Sequence, residues 1–186
     1  MLEHIDMPEI IKTSDISIVK RTHELDKELW EMLNNHRGFL GKYLNWPNRI
    51  KSIDELTEET AGEISCWDKG ERFYYYILND NRLVGGIYLL NIDNKHHSAE
   101  WGYWLSPDET GKGYISKALK ALEEELFKRG FVRLVIRCAV DNAASAGVAE
   151  RNGYDFEGIL RKSYCNQGKF VDNKLFAKIN SFLFVF

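Results

Sequence analysis

This 186-residue sequence has no basic excess: 25 Lys and Arg stand against 28 Asp and Glu, for a formal net charge of −3. Proteins that bind nucleic acid generally present a basic surface, so nucleic acid is not an expected partner. No run approaches the ~20 apolar residues that span a bilayer, and a membrane is not expected either. Met1 to Asp15 carries Glu3, Asp6 and Glu9 and no apolar core, which is unlike a signal peptide. The three cysteines, Cys66, Cys138 and Cys165, are far apart and lack CxxC spacing. They imply no disulfide framework and no metal site, and three reduced thiols in a reducing, cytoplasmic compartment are the expectation. No internal repeat, low-complexity tract or Pro/Gly/Ser linker divides the chain, so one domain over residues 1–186 is expected.

What is present suits one globular core. Hydrophobic residues make up 44% and charged residues 28%, ordinary values for a folded domain. Aromatics reach 13%, which favours strands and an aromatic-walled cleft. Ile16 to Val19 reads as a first strand. Leu25, Leu29, Met32, Leu33 and His36 recur at helical spacing, and a short second helix is expected over Phe39 to Leu44. Ser52-Ile53-Asp54-Glu55 is a capping box opening another helix. Phe73 to Leu78, Leu83 to Ile92 and Ala99 to Leu105 form an antiparallel meander broken by polar turns. Ile115, Ala118, Leu119, Leu122 and Leu126 line one face of a long helix, with Gly130 at its end. A strand over Val132 to Val140, a helix over Asn142 to Asn152, and strands over Tyr154 to Leu160 and Lys169 to Ile179 complete the order. The fold class is α/β (α+β): a mixed, mostly antiparallel central sheet of about seven strands with helices on both faces. The apolar Ser181 to Phe186 end reads as a strand extension or an oligomer contact, so a homo-oligomer is compatible with the sequence.

Between the meander and the long helix lies Ser106-Pro107-Asp108-Glu109-Thr110-Gly111-Lys112-Gly113-Tyr114-Ile115-Ser116. The first N–H groups of a helix have no internal partner and sit at the positive end of its dipole. Gly111 and Gly113 carry no Cβ, so a phosphate can approach the backbone there, and Lys112 adds charge. Together with the N–H groups of Tyr114, Ile115 and Ser116 this makes an anion cradle suited to a pyrophosphate. It is not a P-loop, and it is not a Rossmann loop, whose third glycine position is Ser116 here. A GxG ahead of a helix is also often only a tight turn.

A second element follows at a fixed distance: Val140-Asp141-Asn142-Ala143-Ala144-Ser145 to Arg151-Asn152-Gly153-Tyr154. In this order the two elements resemble the acetyl-CoA motifs of the GCN5-related N-acetyltransferases, and the resemblance covers nearly the whole chain. Ala99 to Leu105 resembles that family's central strand. Asn35-His36-Arg37, Leu44-Asn45-Trp46, Phe156 to Arg161 and Gly168 to Asp172 are similar to its ribosomal-protein-serine and -alanine branch. The family's phosphate signature, Gln/Arg-x-x-Gly-x-Gly/Ala, has Thr110 and Ile115 at its ends here and matches directly at Gly113. Tyr164 stands where the ribosomal-protein-serine branch carries a glutamate implicated as a base.

The resemblance implies direct attack of a neutral amine on the thioester of acetyl-CoA, with no metal. It implies Glu100 as the base, acting through water, and Ser145 near the sulfur as an acid. It further implies that backbone groups near Trp104 and Leu105 bind the acetyl carbonyl and that Asn142 holds the pantetheine arm. Simpler readings stand beside these: Asn142 as the N-cap of its helix, Glu100 as a half-exposed strand carboxylate, and His96 and His97 as turn residues. The implied acceptor is a protein N-terminal amine. A small amine, such as a polyamine or amino sugar, is the alternative, and a silent acyl-CoA-binding module a third. The acceptor surface is expected from Arg37 to Ile50 and from Arg161 to Lys169.

Overall fold

The computed structural model describes residues 5–180; the apolar end discussed above lies outside the described residues. Eight strands form one sheet in the order β1-β2-β3-β4-β5-β6-β8-β7. They are β1 (Ile10–Lys12), β2 (Ser17–Lys20), β3 (Phe73–Asn79), β4 (Arg82–Asp93), β5 (Ser98–Leu105), β6 (Arg133–Ala139), β7 (Asp155–Asn166) and β8 (Lys169–Ile179). Every neighbouring pair is antiparallel except β5 and β6, which run parallel. The strand beyond the expected seven is β1, three residues with no alternating pattern long enough to read.

Among the described residues five α-helices cover the sheet: α1 (Asp26–Leu40), α2 (Trp46–Arg49), α3 (Ile53–Asp68), α4 (Tyr114–Lys128) and α5 (Ala143–Arg151). Alternation along the strands splits the core in two. Phe73, Tyr75, Ile77, Ile87, Leu89 and Trp101 pack with Ala118, Leu119, Leu122 and Leu126 of α4 and with Ala146 and Ala149 of α5. Tyr76, Leu83 and Trp104 pack with Leu29, Leu33 and Leu40 of α1 and with Leu56 of α3. The helices therefore lie on both faces.

Local chemistry sets the boundaries. Ser52 caps α3, its Oγ accepting from Glu55 N at 3.2 Å, while the Glu55 carboxylate returns to Lys51 N rather than to the cap itself. The second helix does not run over Phe39 to Leu44. Helix α1 continues to Leu40 across a kink at His36, and α2 begins at Trp46-Pro47, where proline fits the first helical turn. Strand β7 extends to Asn166, past the expected Leu160, bulging between Leu160 and Tyr164.

Candidate active site

The parallel seam is short. Ser98 to Trp101 pair with Arg133 to Ile136. Beyond it β5 continues beside β4 to Leu105, and β6 continues beside β8 to Ala139. The two strands splay apart and leave a gap in the sheet. Ser106 N donates to Val84 O at 2.8 Å. Alternation then turns the N–H groups of Trp104 and Gly102 toward β4 and those of Leu105 and Tyr103 toward the gap. Of the two backbone positions expected to bind an acyl carbonyl, Leu105 faces the gap and Trp104 does not, because two successive strand residues point opposite ways. The Trp104 indole packs edge-on against Trp46, centroids 5.8 Å apart.

A cleft of about 370 Å³ runs through the gap. Its lining includes Glu100, Tyr103, Cys138, Asn142, Ser145 and Tyr164. Two glycines make room for aromatic rings on the α1/α3 side of the sheet. A Cβ on Gly102 would overlap the Tyr88 ring, and one on Gly86 would lie 2.5 Å from the Trp104 indole nitrogen. Glycine at both positions lets the aromatic rings lie against the strands.

Glu100 projects from the face opposite Trp101 and Tyr103, and Arg137 of β6 reaches it across the mouth of the splay. Arg137 Nε donates to Glu100 Oε1 at 2.8 Å, and its Nη2 donates to Oε2. Asn91 Nδ2 also donates to Oε2, at 2.8 Å. The hydrogen bond to Glu100 raises the Arg137 guanidinium above its ordinary pKa. Oε2 accepts two of these bonds and Oε1 only one, so an acceptor site on Oε1 stays open to a bridging water or an amine.

On the other side of the gap Asn142 caps α5, its Oδ1 accepting from Ser145 N at 3.1 Å. Ser145 Oγ lies 2.8 Å from Tyr103 Oη. Burial raises the Tyr103 phenol well above the usual range despite its bond to Ser145. Burial likewise raises the Cys138 thiol, while Ser145 opposes that shift. Tyr164 is raised by burial too and stays a neutral phenol.

The glycine loop leads into α4. Gly111 and Gly113 adopt φ of +80° and +78°, and a Cβ at either would meet nothing within 4 Å. Gly113 is the N-cap and supplies no side chain, and the first helical bond runs from Lys117 N to Gly113 O. The N–H groups of Tyr114, Ile115 and Ser116 are thus left without helical acceptors. The Tyr114 and Ile115 side chains are buried in the core and offer only backbone to a ligand, while Ser116 Oγ accepts from Asn152 Nδ2 at 3.0 Å and keeps its own proton. Lys112 pairs with Glu109 at 2.7 Å, which offsets part of its charge. This cradle fits a pyrophosphate through backbone donors and needs no side chain at Thr110, whose hydroxyl donates to Pro107 O.

The two segments expected to build the acceptor surface meet over the cleft. Asn166 Nδ2 donates to Lys42 O at 2.8 Å, Gln167 Nε2 to Gly41 O at 3.0 Å and Asn45 Nδ2 to Cys165 O at 2.7 Å. Three carboxamides thus strap the β7–β8 turn to the α1–α2 loop. Neither this strap nor the roles of Arg137, Asn91 and Tyr103 were read from the sequence. The available signal was strand parity, which puts Arg137 on the Glu100 face and Tyr103 on the α5 face. His96 and His97 lie in the β4–β5 turn; His96 pairs with Asp93 and His97 with the Gly130 carbonyl.

The splayed seam lies beside the glycine-led helix α4. Residues 18–155 match the acetyltransferase (GNAT) domain family. The chain belongs to the GNAT acetyltransferase family. Over 93% of its length it is 32% identical to the ribosomal-protein-serine acetyltransferase of Escherichia coli K12, of which 98% is covered. It is 27% identical to the spermidine N(1)-acetyltransferase of Vibrio cholerae, across 76% of this chain and 80% of that one. Among solved structures, RimL, a ribosomal alpha-N-protein acetyltransferase in complex with coenzyme A, superposes with a TM-score of 0.88 at 29% identity. That match covers 92% of this GNAT chain and 98% of RimL.

Proposed function

We propose that this acetyltransferase transfers the acetyl group of acetyl-CoA to the N-terminal α-amine of a protein, in the manner of its ribosomal-protein relatives. The observation that carries this reading is the strap. Carboxamides of Asn166 and Gln167, and that of Asn45 in return, hold the α1–α2 loop to the β7–β8 turn over the cleft, which favours a chain end entering end-on over a side chain on a folded surface. The relationship to the ribosomal-protein-serine enzyme supports the same acceptor.

In this reading the N–H groups of Gly113, Tyr114, Ile115 and Ser116, with Gly111 and Lys112 beside them, bind the pyrophosphate. Asn142 contacts the pantetheine arm while capping α5. The Leu105 N–H, on the open side of β5, takes the carbonyl oxygen as charge develops there. Glu100 receives the amine proton through water. The demand on it is modest, since an α-amine with a pKa of ~7.7–8.0 is partly neutral at pH 7. Ser145 faces the departing sulfur, whose thiol pKa of ~8.5 makes it a good leaving group. The setting is a bacterial cytoplasm.

A free-thiol release assay with acetyl-CoA tests this across Ser-, Ala- and Met-initiated peptides, polyamines and aminoglycosides. Selective turnover of one peptide is the expected result. Turnover of polyamines alone moves the acceptor to small amines, the reading favoured by the spermidine enzyme relationship. Failure to bind CoA in a thermal-shift experiment overturns the proposal.

A further inference from the structure

Tyr103 and Ser145 join the two banks of the gap at its α5 end. Their oxygens lie 2.8 Å apart, and Tyr103 Oη also reaches Ser145 O at 3.3 Å. A phenol is the stronger acid of the two hydroxyls and hence the better donor, and the 2.8 Å contact is the better bond. The Tyr103 proton is therefore spent on Ser145 Oγ. Ser145's own proton is then free to point along the cleft, where Cys138 Sγ is its neighbour in this structure.

We propose that Tyr103 is a positioning residue for the acetyl transfer: by donating to Ser145 Oγ, it aims the Ser145 O–H at the sulfur of the bound thioester. The inference rests on the reading of Ser145 given above. The C–N bond forms as the C–S bond breaks, the C–S electron pair stays on sulfur, and the amine proton leaves through water. Ser145 donates a hydrogen bond to the sulfur as its negative charge grows, and Tyr103 keeps its proton throughout. Burial supports this, since it holds the phenol in its protonated, donating form across the working pH range. The ionisable groups facing Tyr103 are the Cys138 thiol on β6 and Arg151 on α5, together with Tyr154 ahead of β7. None is a carboxylate able to take the phenol's proton.

Tyr103→Phe, Ser145→Ala and the double variant test this in steady-state kinetics, with CoA binding measured by titration calorimetry. Loss of one neutral hydrogen bond corresponds to about fivefold in rate. Tyr103→Phe should therefore lower kcat about fivefold and leave the KM for acetyl-CoA and the CoA affinity within twofold. In the Ser145→Ala background it should have no further effect. Multiplicative losses, or a change confined to KM, overturn the assignment. A ring-fluorinated tyrosine at position 103 keeps the shape should Tyr103→Phe misfold. Burial keeps the phenol protonated, so the fluorinated residue still donates to Ser145 and kcat at neutral pH should stay within twofold of the wild type; a fivefold or larger loss with the hydroxyl retained refutes the role. If the wild-type protein turns over no acceptor, the proposed function fails. If the wild type is active and Tyr103→Phe matches it, only the inference about Tyr103 fails.

Discussion

Gly113→Ala separates the cradle from the fold. Gly113 sits at φ +78°, ψ 11°, and a left-handed conformation costs an L-residue about 1–2 kcal/mol. The new Cβ would meet no atom within 4 Å, so the folded chain adds no steric penalty of its own. The expected loss of about 1–2 kcal/mol is small beside a typical stability of ~5–15 kcal/mol. It corresponds to roughly 2–4 °C in Tm per kcal/mol for a domain of this size. The same methyl occupies the space where a pyrophosphate would approach the backbone, and a tenfold or larger loss of CoA affinity should follow. At a CoA concentration of about 100 times the wild-type Kd, ligand stabilisation is ~2.7 kcal/mol; a tenfold weaker variant would gain only about 1.4 kcal/mol. Gly153→Ala is the control. Gly153 has φ +75° with nothing near its Cβ, but it follows α5 and contributes no backbone N–H to the 111–116 loop. Thermal unfolding with and without CoA should show a similar apo loss for both variants and a weakened CoA response for Gly113→Ala alone. An intact CoA response in Gly113→Ala, or an equal loss in Gly153→Ala, would refute the cradle.

Glu100→Gln should lower kcat at neutral pH, with the deficit shrinking as pH rises past the α-amine pKa of ~7.7–8.0; full turnover in a pH-rate profile at every pH removes Glu100 from the reaction. Asn166→Ala deletes one member of the strap, and the KM for the acceptor should rise about fivefold while that for acetyl-CoA stays put. Initial-rate kinetics with each substrate varied in turn will check it. Burial raises Glu63 on α3 from 4.5 to about 7, against the opposing pull of Arg21. A carboxyl whose folded pKa is raised binds protons more tightly when folded, so its contribution is full below about pH 4.5 and is lost as pH climbs through about 7. Urea midpoints should show that slope in the wild type and a flatter one in Glu63→Gln.

Much of the architecture was legible because strong periodicity and turn chemistry agreed. Helix α4 carries a clean apolar stripe, and its glycines mark both ends. The β3–β4–β5 meander alternates between polar turns, and Ser52 announces α3. What escaped had weak local signals. Strand β1 is three residues long, and α2 is a single turn set by Pro47. The glycine loop was legible because phosphate chemistry needs consecutive residues. The Glu100–Arg137 and Tyr103–Ser145 pairs were not, because each joins separate elements and depends on where β5 and β6 part. The neighbouring Trp104 and Leu105 show that limit: strand parity separates their N–H directions only once Ser106 is seen bonded to Val84. The strap was equally hidden, since exposed Asn and Gln reveal nothing of their partners until the loops meet.

The brevity of the β5–β6 seam also bears on how the molecule assembles. The β3–β4–β5 meander and the β7–β8 hairpin each close short loops, the kind of contact that forms early. The seam joins strands separated by the whole of α4, and the strap links residues 124 positions apart. Loop-closure entropy therefore places these two joints late in folding. The cleft, bounded by both, takes shape only as the two sub-structures dock, and a nascent chain would have no site for its ligands until its final hairpin had left the ribosome.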